Sequence, residues 1–151
     1  MNRQDAKEPR EPEEMVDAIA AEVVDAAFQV HSRLGPGLLE SVYEVCLAHE
    51  LTKRQLQVER QVALPVFYDN IKIDAGLRLD LLVNNLVIIE IKAVETLLDV
   101  HKAQVLTYLK LASLHLGFLI NFNVPLIKHG VKRIISSSSS LAPSRLGGST
   151  L

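Results

Sequence analysis

Over residues 77–93 apolar and charged side chains alternate along the chain twice in succession. In 77–83 the odd positions Leu77, Leu79, Leu81 and Val83 are apolar, and the even side carries Arg78 and Asp80. In 86–93 the odd positions Val87, Ile89, Ile91 and Ala93 are apolar, and Glu90 and Lys92 share the even side. A period of two belongs to the β-strand, whose successive side chains point to opposite faces. The spacing therefore predicts two strands joined at the turn-forming pair Asn84-Asn85, each with one apolar and one charged face.

Their register is restricted as well. A two-residue turn at Asn84-Asn85 would set Asp80 against Ile89 and lay an apolar face beside a charged one. A three-residue or bulged connection sets Asp80 opposite Glu90 and unites both apolar sets, so burial favours it. Two facing carboxylates repel unless a proton or cation lies between them. With no histidine or cysteine in these strands, hard Mg²⁺ or Mn²⁺ suits the pair better than zinc, and Lys92 is placed to orient an attacking water. The competing interpretation is an ordinary salt-bridged sheet face with Arg78 as the internal partner.

Around these strands the period is helical. Met15, Val16, Ile19, Val23, Val24, Ala27 and Val30 predict one helix, ended by Leu34-Gly35-Pro36-Gly37. Leu39, Val42, Tyr43, Cys46, Leu47 and Leu51 predict a second, with Lys53 and Arg54 near its negative end. Val58, Arg60, Val62 and Leu64 fall at strand spacing before Pro65, and Asp69-Asn70 reads as a hairpin turn. Thr96 with Asp99 resembles a capping box for a helix bearing Val100, Ala103, Val105, Leu106, Leu109 and Leu111. Residues 114–122 read as a buried strand and 131–135 as a short last one. The order is ααβββαββ: one α/β domain over residues 14–135, with mobile tails at 1–13 and 136–151.

A chain of 151 residues with 48% hydrophobic content has enough apolar surface for a single core. Its net charge of -2 rules out binding to nucleic acid through bulk charge, so any such surface is local. Candidates are Lys53, Arg54, Arg60, Lys102, Lys110, Lys128, Lys132 and Arg133. Aromatic residues make up 5% and tryptophan is absent, which favours backbone contacts over base stacking. The lone Cys46 excludes an intrachain disulfide or a cysteine-rich zinc site. The charged N-terminal stretch and the lack of a long apolar run lead us to expect a soluble cytoplasmic protein without membrane association.

Gly37-Leu38-Leu39-Glu40-Ser41-Val42-Tyr43 matches a GxxExxY pattern. Arg78-Leu79-Asp80-Leu81, Glu90-Ile91-Lys92-Ala93, and then His101, Gln104 and Tyr108 follow in order. Together these resemble the GxxExxY family of the PD-(D/E)XK nuclease superfamily. The resemblance implies a restriction-endonuclease-like core, a mixed sheet flanked by helices, and a Mg²⁺-dependent (or Mn²⁺-dependent) nuclease. It implies Asp80, Glu90 and the Ile91 backbone carbonyl as metal ligands, Lys92 as the residue assisting the attacking water, and Glu40 as a group serving a second metal or its water. Gln104 would support the metal site or the phosphate. Tyr43 would brace Glu40 or fill the core, and His101 and Tyr108 would lie on the helical face that carries Gln104. DNA is the expected substrate, with RNA left open. The alternatives are a catalytically silent nucleic-acid-binding or assembly module and a structural protein. A homodimer or larger complex is expected, with the helices before Gly37 or the strand near 117–122 as its interface.

Overall fold

A computed structural model of the chain describes residues 12–137. The tails expected at 1–13 and 136–151 lie outside it except for Pro12, Glu13, Ser136 and Ser137. Helix α1 spans Pro12–Leu34. Proline suits a first helical position, where its missing N–H would have no intrahelical partner. Ile19, Val23, Ala26, Ala27 and Val30 form its buried stripe, and α2, Glu40–Lys53, packs beside it.

Five strands form the main sheet: β1 Val58–Ala63, β4 Arg78–Val83, β5 Val87–Lys92, β6 Leu116–Asn121 and β7 Val131–Ile135, in the order β1-β4-β5-β6-β7. Only β5 and β6 run parallel; the other neighbours are antiparallel. Helix α3, Asp99–Ala112, makes the crossover between them. One apolar cluster joins α1 and α2 to Leu81, Val83, Val87, Ile89, Ile91, Phe118 and Ile120. A second joins α3 to Leu79, Leu82, Ile88 and Leu119. The mixed sheet is therefore sandwiched between helices, as the α/β reading expects.

Four details depart from the sequence expectations. Asp69 and Asn70, both left-handed, turn an additional exposed ribbon of β2, Val66–Tyr68, and β3, Ile71–Ile73, instead of joining β1 to β4. Thr96 does not cap α3: Leu98 is its N-cap, and the Leu98 N–H donates to His101 Nδ1 at 2.9 Å. Val100 and Ala103 are exposed, and the buried face of α3 is Val105, Tyr108, Leu109 and Ala112. Finally, β6 is buried along its whole length between β5 and β7, which removes it as a dimer interface.

The register of β4 on β5 is the one burial favours. Leu81 pairs with Ile89, Leu82 with Ile88 and Val83 with Val87, across a three-residue connection in which Asn84 and Asn85 are left-handed. The face assignment of β4 needs correction, however. Leu79 packs on the α3 side, whereas Leu81 and Val83 pack on the α1–α2 side. In β1, Val58 and Val62 divide in the same way. The β1–β4 ladder pairs Arg60 with Leu81 and Val62 with Leu79, but skips Gln61 and Asp80. Gln61 has φ 52, a left-handed residue inside a strand. Both strands thus change faces at the same level, and the change falls on Asp80.

Candidate active site

Asp80 is also where β4 leaves β5. The ladder ends at Leu81–Ile89, and at the next pair side chains take over from the main chain. The Asp80 N–H donates to Glu90 Oε1 at 3.0 Å, and the Ile91 N–H donates to Asp80 Oδ2 at 2.8 Å. Each carboxylate fills a main-chain bond that the parting strands leave open. This reciprocal arrangement fixes both acids and leaves each with a second oxygen.

Burial raises the Asp80 pKa first, with the negative charges of Glu44 and Glu40 adding to it, against the bonds from Ile91 and Gln61. Burial likewise pushes Glu90 up to about 8, assisted by Asp80 and opposed by its own bond to the Asp80 N–H and by the charge of Lys92. Arg78 does not relieve the pair: its Nη1 donates to the Gln61 carbonyl at 3.3 Å. That removes the internal partner on which a salt-bridged sheet face would depend. Lys92 is half-buried and forms no ion pair among the described residues.

Glu40 arrives from the first turn of α2, where the helix dipole favours an anion. Its Oε2 accepts from the Ala93 N–H at 3.3 Å, just beyond β5. Tyr43 does not bond to Glu40. Its hydroxyl donates to the Gly35 carbonyl at 2.6 Å and accepts from the Leu38 N–H at 3.1 Å, while its ring stacks on Phe122 at 4.5 Å. The spacing of Gly37, Glu40 and Tyr43 thereby acquires a physical reason. Gly37 at φ 99 turns the chain, Tyr43 clamps that turn, and Glu40 begins the helix that follows.

On α3, Tyr108 is buried, and burial together with the negative charges of Glu90 and Asp80 raises its pKa. Gln104 is half-buried one turn earlier. His101 is committed to the helix start through Nδ1. Of the basic residues, Arg54 pairs with Glu22 and Asp25, Lys53 with Glu50, Arg60 with Glu44, and Arg133 with Asp17. Half of the expected approach surface is therefore engaged in ion pairs.

Three residues at the site were not singled out from the sequence. Glu44, one turn after Glu40, is buried and accepts from Arg60 Nε at 3.1 Å and Gln61 Nε2 at 2.9 Å. Gln61 Nε2 also lies 3.4 Å from Asp80 Oδ1. Asn121, paired with Lys92 on the parallel neighbour, binds the Val94 N–H and carbonyl at 3.0 and 2.9 Å and the Asn123 N–H at 3.2 Å. It holds the segment that leaves the site. The sequence signals that could have found two of them are the i, i+4 relation of Glu44 to Glu40 and the lone amide of Asn121 in an apolar run.

Two partly buried carboxylates with raised pKa values are a site short of positive charge, which a divalent cation would supply. No cluster of three or more His, Cys, Asp or Glu side chains suited to a metal exists among the described residues. Asp80 and Glu90 are the two carboxylates that the fork brings together. Mg²⁺ is commonly held by one or two carboxylates with water completing the shell, so the residues present fit it.

No helix of the described residues is long and apolar enough to cross a membrane. No curated protein and no solved structure matches the chain. A family model described as PD-(D/E)XK nuclease superfamily matches residues 17–134, a span that takes in most of α1, all of α2, the whole acidic fork and α3. Superfamily members are usually nucleases and generally use divalent metal ions, which agrees with the acidic pair and its neighbour Lys92. The chain therefore belongs to the PD-(D/E)XK nuclease superfamily.

Proposed function

We propose that this protein is a Mg²⁺-dependent nuclease of the GxxExxY type that hydrolyses phosphodiester bonds in DNA. The observation that carries the reading is the fork at Asp80 and Glu90, where two carboxylates with raised pKa values lie beside a lysine that has no ion pair among the described residues. The chemistry that Mg²⁺ or Mn²⁺ would supply there is neutralisation of phosphate charge and a lowered pKa for a water.

The other steps belong to the chain's own side chains. Asp80, Glu90 and the Ile91 carbonyl would hold the cation. Lys92 orients the attacking water or stabilises the charge that grows on the phosphate oxygens. Glu40, held by the Ala93 N–H, serves a second cation or its water shell, and Gln104 and Tyr108 line the α3 side. The scarcity of aromatic residues favours backbone contacts over the base stacking on which single strands are often held, which supports a duplex, and DNA is the duplex we propose.

Calorimetric titration with Mg²⁺ and Mn²⁺, followed by cleavage of DNA and RNA panels, tests the reading. Asp80→Ala is expected to lose both metal binding and cleavage. Lys92→Ala is expected to keep metal binding and lose about 10²–10⁴-fold in cleavage rate. Metal binding with no cleavage of any substrate would instead support a silent binding or assembly module. No metal binding by the wild type would refute the metal centre.

A further inference from the structure

Gln61 occupies a conformation that its residue type does not favour. A non-glycine residue at positive φ inside a strand is costly and persists only where its surroundings enforce it. Gln61 has φ 52 within β1, opposite Asp80, at the one position the β1–β4 ladder skips. Its amide lies between two carboxylates, donating to Glu44 Oε1 at 2.9 Å and reaching Asp80 Oδ1 at 3.4 Å. Its carbonyl accepts from Arg78 at 3.3 Å. Glu44 is itself buried and fixed on its other oxygen by Arg60.

We propose that Gln61 is a positioning residue for Asp80: its left-handed backbone turns β1 and β4 over together, and its amide, anchored by Glu44, aims Asp80 Oδ1 into the fork. The inference rests on the reading of Asp80 as a metal ligand. Asp80 Oδ2 is held by the Ile91 N–H, so one further donor at Oδ1 suffices to fix the plane of the carboxylate. A strand irregularity beside an active site commonly serves to re-aim a side chain. Here the element supplying the anchor is α2, which also carries Glu40. One helix thereby places one acid directly and orients another through Gln61.

The test compares Mn²⁺ affinity by calorimetry with thermal melting in EDTA for wild type, Gln61→Gly and Asp80→Ala. Glycine accepts the left-handed backbone without strain and lacks the amide. Gln61→Gly is expected to stay folded in EDTA, the relief of backbone strain offsetting part of the bond lost at Glu44, yet to bind Mn²⁺ about tenfold more weakly. If Gln61→Gly does not fold, Gln61→Asn takes its place with the same two outcomes, because asparagine tolerates this backbone and its amide is one methylene shorter. A Kd within about twofold of wild type, with binding lost in Asp80→Ala, would overturn the role of Gln61 and leave the metal site intact. Absence of Mn²⁺ binding in wild type, or unchanged binding in Asp80→Ala, would overturn both.

Discussion

Tyr43 stabilises the site without touching its acids. Its hydroxyl is the partner of the Gly35 carbonyl and the Leu38 N–H, and its ring is fully buried against Phe122. In Tyr43→Phe the ring remains and both main-chain groups lose their partner, at a cost of about 1–3 kcal/mol. Urea unfolding should report that loss, and an unchanged midpoint would show that water replaces the hydroxyl. The convergence of Asp80 and Glu90 beside Lys92 was legible in the sequence because charges set between apolar strand positions are costly to bury and stand out from the pattern. The bond partners of Tyr43 were not, since its spacing from Glu40 suggested a bond that the buried hydroxyl does not make. Gln61 was invisible for a different reason: glutamine carries no sequence mark of a left-handed backbone, as glycine or asparagine does.

Among the elements, the pairing of β4 with β5 could be read in advance because the wrong register would lay apolar side chains beside charged ones. The point where the strands part could not, because main-chain bonds there pass to the side chains of Asp80 and Glu90, and period two assumes an uninterrupted pleat. The crossover after β5 depends on a polar residue in an otherwise apolar strand. Asn121 satisfies both main-chain groups of Val94 and the N–H of Asn123. Asn121→Ala should therefore destabilise the protein by about 2–4 kcal/mol. It should also release the Val94 amide to hydrogen exchange well before the centre of β5. Equal protection of the two would show that the segment is held by packing alone. Gly130 belongs to the same corner: a Cβ there would collide with the Asn121 carbonyl. Gly130→Ala is expected to cost about 1–3 kcal/mol by thermal melting, and a neutral result would mean that the loop shifts freely.

For the molecule as a whole, the acidic fork should couple folding to pH and, on the proposed reading, to divalent cations. Glu90 ionises near 4.5 as a free side chain and at about 8 in the fold, and Asp80 shifts in the same direction. Between those two values the native state holds a proton that the unfolded chain has lost, so stability falls as pH rises. The contribution is fully present below about pH 4.5, declines across the window by up to about 1.4 kcal/mol per pH unit, and is gone above about pH 8. A cation that binds the ionised pair acts in the opposite sense. It stabilises more strongly as pH rises, because fewer protons compete with it and binding to the native state alone adds to stability. Melting temperatures in EDTA should therefore fall from pH 5 to pH 8, and saturating Mg²⁺ should restore most of the loss at the upper end while doing little at pH 5. Glu90→Gln should flatten the EDTA profile and weaken the Mg²⁺ response together, since one carboxyl is responsible for both. A variant that kept the full Mg²⁺ response while losing the pH slope would place the cation elsewhere than at Glu90.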